Sequence, residues 1–323
     1  MERRALGKTG LQVSALGFGC GNVGGLMVRG APADQERAVT RAMDLGINYF
    51  DTAPSYGDGR SEEHLGAALK ALGANVLVGT KFRIAPSDRN DVSGAITRSL
   101  ETSLKRLRVE RVDLLQLHNP IGEAGGLTAR EVLDQVAPVL ERLRRDGKMR
   151  FIGITALGAA SALHEVIGAG AFDTAQVCYN MLNPSAGHPI PSGFPAPDFR
   201  LLLARCRERT TGVIGIRALA AGALSGTPTR HPVAVPTVEP IASGPDYGAD
   251  VARAQKLWPL IQDGHAADLV EASLRFVITS DAVSTVLLGY SSLDHLEHAA
   301  AAVEKGPLPP AAIERLRSLW PTM

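Results

Sequence analysis

Residues 75–117 read NVLVGTKFRIAPSDRNDVSGAITRSLETSLKRLRVERVDLLQL, a short apolar run, an amphipathic stretch and a second short apolar run. The two ends, 75–80 (NVLVGT) and 112–117 (VDLLQL), are rich in Val and Leu with little polar alternation, as expected of parallel strands covered on both faces. Between them, residues 93–108 place Ile96, Leu100, Leu104 and Leu107 on one face with Arg and Lys opposite, which is helical spacing. A strand, a helix and a strand in that order make a parallel α/β unit.

The same alternation continues in both directions. Further candidate strands are 15–19 (ALGFG), 47–51 (INYFD), 151–154 (FIGI), 174–178 (TAQVC), 213–217 (VIGIR) and 284–288 (STVLL), which brings the total to the eight of a closed (β/α)8 TIM barrel. Residues 6–11 (LGKTGL) suggest a tight turn between two extended pieces, an N-terminal β-hairpin. The 323 residues suit one such barrel, so 1–323 is expected to be a single domain. Residues 128–146 open on Thr128-Ala129-Arg130-Glu131, a capping box, and Gly147 follows them; Pro138 should kink that helix or reset its first turn. Ser61 and Ser292 are expected as N-caps of two others. Two Pro- and Gly-rich segments, 183–198 and 225–248, break the alternation after late strands and are expected to cover the site.

Composition narrows the function classes. Thirty-four Lys and Arg balance 33 Asp and Glu, which argues against nucleic acid or an anionic membrane as the partner. No run is long and apolar enough to span a bilayer, and Gly7 and Gly10 interrupt the start before any signal-peptide core. Cys20, Cys178 and Cys206 are widely spaced and odd in number, which suggests reduced thiols in a cytoplasmic protein. No Cys/His cluster has metal-ligand spacing; His188 and His231 stand isolated in Pro-rich loops, and His64 is expected at the exposed start of a helix. No GxGxxG opens a helix after the first strand, so a Rossmann domain is not expected.

Four polar residues fall at or just past strand ends: Asp51, Tyr56, Lys81 and His118. In a barrel these ends share one rim, so the four converge. A tyrosine titrates near ~10 and is a weak acid at neutral pH, but an adjacent ammonium stabilises its phenolate and a carboxylate keeps that ammonium charged. A histidine can then donate a hydrogen bond to a substrate oxygen.

The run Gly46–Gly57 (GINYFDTAPSYG), followed by Ser61-Glu62 and Leu65-Gly66, closely resembles the aldo-keto reductase signature. Thr80-Lys81-Phe82 and Leu117-His118-Asn119-Pro120 resemble that family's lysine and histidine segments in order and spacing. The resemblance extends over nearly the whole chain. It implies a catalytic tetrad of Asp51, Tyr56, Lys81 and His118 that serves hydride exchange between a nicotinamide cofactor and a carbonyl or alcohol, with Tyr56 as proton donor in reduction. It also implies that Thr155 and Gln176 meet the nicotinamide carboxamide, with Ala156 where many members carry Asn. Arg217, Leu219, Gly222 and Leu224 fall in the segment that holds the ring and pyrophosphate, with Arg217 where an aromatic residue commonly stacks. Gly289, Ser291 and His295 align with the adenosine-phosphate site, where members strict for NADP carry Lys and Arg; NADP(H) is favoured slightly and NAD(H) is admitted.

Asn119 stands where members selective for apolar aldehydes place Trp, and it is expected to contact substrate. Asp146-Gly147-Lys148 and Arg150–Thr155 resemble a branch that contains sugar dehydrogenases. The expected substrate is a small carbonyl compound or sugar, and the expected assembly a monomer or small homo-oligomer. Two competing readings are a barrel lyase with Lys81 as Schiff-base nucleophile, which needs a neutral lysine, and a silent regulatory subunit that binds cofactor.

Overall fold

The computed structural model describes residues 1–323. At the N-terminus β1 (Arg3–Ala5) and β2 (Gln12–Ser14) pair antiparallel across a turn at Gly7–Thr9. There follow β3 (Leu16–Gly19), β4 (Tyr49–Asp51), β5 (Leu77–Phe82), β6 (Val112–Leu117), β7 (Met149–Ala156), β8 (Thr174–Cys178), β9 (Gly212–Ile216) and β10 (Val283–Gly289). These eight are parallel to their neighbours and close in the order β10-β3-β4-β5-β6-β7-β8-β9. The (β/α)8 barrel expected from the alternation is the fold, hairpin included.

Around the barrel lie α1 (Leu26–Arg29), α2 (Pro32–Asp44), α3 (Arg60–Leu72), α4 (Val92–Leu107), α5 (Ala129–Glu131), α6 (Ala137–Arg145) and α7 (Ala160–Gly168). They are followed by α8 (Leu202–Glu208), α9 (Tyr247–Gln255), α10 (Pro259–Gln262), α11 (Leu269–Thr279), α12 (Leu293–Glu304) and α13 (Pro310–Leu319). None is long and apolar enough to cross a membrane.

Local chemistry sets the helix ends. Asp91 caps α4 by accepting from the Gly94 amide, and Arg108 ends it in the left-handed region, so the helix expected over 93–108 closes one residue early. Thr128 and Glu131 form the capping box, and a π-helical turn at Val132–Val136 precedes α6, whose second residue is Pro138. The proline therefore resets a first turn, where it needs no amide hydrogen. Ser292 caps α12 as expected. Ser61 does not cap α3: Gly59 holds that position, and the Ser61 hydroxyl sits inside the helix, bonded to the Cys20 carbonyl and to Thr52 Oγ1. Nor is His64 exposed; it is half-buried, its Nδ1 2.9 Å from both the Gln35 side chain and the Met27 carbonyl.

Apolar packing leaves one end of the barrel for chemistry. The main core fills the space between strands and helices. A second, smaller cluster lies inside the barrel, where Leu6, Leu11 and Val13 of the hairpin region pack on Tyr49, Leu114 and Ile214. The hairpin thus plugs the end at which the strands begin. Side chains two apart on a strand share a face. The inward sequence on β4 is therefore Tyr49 then Asp51, on β5 Leu77, Gly79 then Lys81, and on β6 Leu114 then Gln116, in the register Asp51–Gly79–Leu114. Apolar groups occupy the floor and polar ones the mouth.

Segment 225–248 crosses that mouth. Arg29 donates to the Val233 carbonyl at 2.8 Å, and Arg230 to the carbonyls of Val235 (2.7 Å), Ala221 (2.8 Å) and Val23 (3.5 Å). The segment is therefore tied to the chain after β9 and to the chain after β3, over the end of β10. Segment 183–198 is tied to it through Asn183, which donates to the carbonyls of Pro197 and Ala242.

Candidate active site

Asp51 is the last residue of β4, Lys81 lies one residue before the end of β5, His118 follows β6, and Tyr56 sits in the turn before α3. The structure brings all four together. Lys81 Nζ bonds Asp51 Oδ1, the Thr52 carbonyl at 2.9 Å and Tyr56 Oη at 3.2 Å, which uses its three protons. The His118 ring stands edge-on to the Tyr56 ring, with centroids 6.1 Å apart. Lys81 and Asp51 are each 1% exposed, whereas Tyr56 and His118 are half-buried at the mouth. The ion pair is enclosed below, and the groups able to touch a ligand lie above it.

Electrostatics follow from this layering. Burial works against the Lys81 charge, but the Asp51 carboxylate and then the Tyr56 hydroxyl outweigh it, so the ammonium is held above the usual lysine range. Burial, then Lys81 and Arg83, push His118 down to about 2, so its ring is neutral and keeps one N–H to donate. An ammonium 3.2 Å from a phenolate oxygen is worth about 5 kcal/mol at an effective dielectric of ~20, before desolvation.

Other residues hold the four in place; of these the sequence pointed to Gln176, as a cofactor contact, and to Glu62 only as part of the signature run. Asp51 Oδ2 accepts from Tyr49 Oη (2.8 Å), Gln116 Nε2 (3.0 Å) and Gln176 Nε2 (2.8 Å). Asn22 clasps the Tyr56 turn, accepting from the Gly57 amide at 2.9 Å and donating to the Ser55 carbonyl at 3.4 Å. Buried Glu62 accepts from Thr80 at 2.6 Å and Arg106 at 3.3 Å, joining α3 to β5 and α4. A signal existed for two of them: Tyr49 shares a strand face with Asp51, and Gln116 interrupts an apolar strand.

Thr155 and Gln176 are register partners on β7 and β8, joined by a 3.5 Å contact from Thr155 Oγ1 to Gln176 Oε1. Arg217 follows β9 with φ +59°; its Nη2 reaches the Glu239 carbonyl at 3.3 Å, and its Nε is buried with no partner. Leu219, Gly222 and Leu224 form the turn after β9, closed by the Leu224 amide on the Leu219 carbonyl, and Gly222 sits at φ +108°. Gly289 ends β10 with no atom closer than 3.6 Å to where a Cβ would stand. The Ser291 hydroxyl is committed to the Gly24 carbonyl at 2.7 Å. His295 lies exposed in the first turn of α12, its ring 5.6 Å from that of His231. Segment 225–248 thus carries His231 to α12.

Asn119 is a correction. Its Oδ1 accepts from the Ile84 amide and its Nδ2 donates to the Ile84 carbonyl, both at 2.9 Å, and the residue is buried. The side chain continues the sheet past β5 instead of offering its amide to a substrate.

Comparison with known proteins agrees with this architecture. The family model described as the aldo/keto reductase family matches residues 15–321. L-galactose dehydrogenase of Arabidopsis thaliana is 32% identical over 94% of this chain and 88% of its own length. D-threo-aldose 1-dehydrogenase of a Pseudomonas species is 29% identical over 94% of each. Among solved structures, the holo form of an aldo-keto reductase from Bacillus halodurans superposes with a TM-score of 0.76 at 24% identity, covering 99% of this chain and 96% of that one, which speaks for the fold. With the signature run, the closed barrel and a family match along almost its entire length, the chain belongs to the aldo/keto reductase family of oxidoreductases.

Proposed function

We propose that the protein is an NAD(P)-dependent dehydrogenase or reductase that interconverts the carbonyl and alcohol of a sugar or similar polyhydroxylated compound, with Tyr56 as the general acid and base. One observation carries the reading: a buried, charged lysine holds its carboxylate on one side and the tyrosine hydroxyl on the other, at the mouth of the barrel.

The rim residues fit a nicotinamide dinucleotide. Thr155 and Gln176 lie beside Asp51 and would meet the carboxamide, Gln176 through the amide proton that Asp51 leaves free. Arg217 is a half-buried cation whose Nε has no partner, and a ring or phosphate would complement it. Leu219, Gly222 and Leu224 would lie along the pyrophosphate, with Gly289, Ser291 and His295 at the adenosine end. That cofactor, when bound, supplies a hydride acceptor or donor. The absence of Lys or Arg at Gly289 and His295 leaves NADP(H) only slightly ahead of NAD(H).

This chain's own residues then handle the proton. In reduction, Tyr56 Oη gives its proton to the substrate oxygen, and the phenolate so formed rests against the Lys81 ammonium. In oxidation the same oxygen takes the proton back. Neutral His118 donates its ring N–H to the substrate oxygen and orients it. Asp51 keeps Lys81 charged. A charged lysine is a poor amine nucleophile, so this arrangement supports proton transfer over Schiff-base chemistry. Asn119 acts through Ile84 and the position of His118.

The substrate class rests on the two relatives that are sugar dehydrogenases by name along almost the whole chain. The three buried thiols suit a reducing cytoplasm, and a monomer or small homo-oligomer is the assembly we favour. The test is steady-state turnover with NADP(H) and NAD(H) against aldoses and chain-matched alkyl aldehydes. Polyhydroxylated substrates should give the higher kcat/KM. Alkyl or aromatic aldehydes ahead by tenfold or more would overturn the substrate class.

A further inference from the structure

Asp51 is held from below by a residue that the proton chemistry has not used. Tyr49 is fully buried, two positions before Asp51 on the same inward face, and donates its hydroxyl to Asp51 Oδ2 at 2.8 Å. Two glycines on neighbouring strands make room for it. A Cβ on Gly79 would lie 2.6 Å from Tyr49 Oη and 3.2 Å from Asp51 Oδ2, and one on Gly17 would lie 3.2 Å from the tyrosine ring. Neither glycine has a positive φ, so it is their size and not backbone freedom that the site uses. A phenylalanine would fill the same floor position without reaching the carboxylate. Burial, and then Asp51, keep the Tyr49 hydroxyl protonated well above the ordinary tyrosine range, so it is a permanent donor.

We infer that Tyr49 is a positioning residue for the proton-transfer centre. Its hydroxyl, with Gln116 and Gln176, fixes Oδ2 towards the barrel floor. Oδ1 is left facing Lys81, and the ammonium stays within reach of Tyr56. The inference rests on the assignment of Asp51, Lys81 and Tyr56 to proton transfer.

Tyr49→Phe tests it in the full-length enzyme. Loss of one hydrogen bond to a charged group should lower kcat by about tenfold. KM for cofactor and substrate should stay within about twofold, because Tyr49 lies beneath the centre and touches neither. Gly79→Ala crowds the same contact from the neighbouring strand, its methyl group meeting both the Tyr49 hydroxyl and Asp51 Oδ2. It should likewise lower kcat by about tenfold with KM near the wild-type value, a split that general loss of packing does not favour.

A Tyr49→Phe enzyme with wild-type kcat would overturn the inference, as would one whose KM rises as much as its kcat falls. If Gly79→Ala does not fold, the kcat and KM of Tyr49→Phe decide alone. Tyr56→Phe, measured alongside, separates the two levels: an active Tyr56→Phe removes the underlying assignment, whereas an inactive one beside an unaltered Tyr49→Phe removes only the role of Tyr49.

Discussion

Replacing Lys81 by Met keeps an unbranched stem in the barrel mouth and removes the ammonium. That ammonium has three partners, Asp51 Oδ1, the Thr52 carbonyl and Tyr56 Oη, and the two ions are each 1% exposed. The substitution leaves a buried carboxylate without its countercharge, which costs about 3–5 kcal/mol. Asp51 keeps three donors on its other oxygen, which places the loss near the lower end, about 3 kcal/mol. An unfolding entropy of about 2.1 cal/mol/K per residue gives a 323-residue chain roughly 0.7 kcal/mol per degree. The melting temperature should therefore drop by about 4–5 °C. Turnover near neutral pH should fall by at least about a hundredfold, the lower range for lost acid–base help.

A pH series fixes the sign. The Lys81 value is raised in the folded state, so its stabilisation is complete below the ordinary lysine value of about 10.5 and disappears as pH rises through the folded value. The gap in melting temperature should hold through neutral pH and close in strong alkali. Differential scanning fluorimetry and initial rates read both effects. A Lys81→Met protein that melts with the wild type and keeps its turnover would refute the reasoning.

Asn119→Leu strands the Ile84 amide and carbonyl, so it should cost about 1–3 kcal/mol in chemical denaturation while leaving the ratio of sugar to alkyl-aldehyde kcat/KM unchanged. Gly289→Lys meets no steric bar, with the nearest atom 3.6 Å from its Cβ, and should tighten NADP(H) over NAD(H) in fluorescence titrations through a charge-assisted bond to phosphate. His118 is held down to about 2 by burial first, so NMR should show its ring neutral from mildly acidic to alkaline pH. The stability it contributes should be present above about pH 6.5 and fade as the solution is acidified.

The eight strands could be read from the sequence because a barrel strand is covered on both faces and so appears as an unbroken apolar run. Their ends could not: 151–154 is only the middle of β7, whose polar and aliphatic ends sit at the rims. The four site residues were legible for a related reason, since strand ends in a barrel meet at one rim. Contacts that depend on the path of loops were not. Asn119 has the same sequence whether it faces a substrate or Ile84, and the decision lies with two backbone groups left open just past β5. His231 meets His295 because a Pro-rich segment crosses the mouth, and no periodicity encodes that course. Ser61 looked like a cap because it opens an apolar helical run, but Gly59 takes the cap and frees the serine hydroxyl to pin β4 and the chain after β3.

The central claim is that the Tyr56 hydroxyl moves the proton at the mouth of this barrel. Its most direct test is the single-turnover rate of Tyr56→Phe, first shown folded by circular dichroism and cofactor-bound by fluorescence. Only one oxygen is removed, so cofactor affinity should stay near wild type while the rate of carbonyl reduction falls by about 10²–10⁴-fold. A folded, cofactor-bound Tyr56→Phe protein that reduces substrate at the wild-type rate would contradict the assignment.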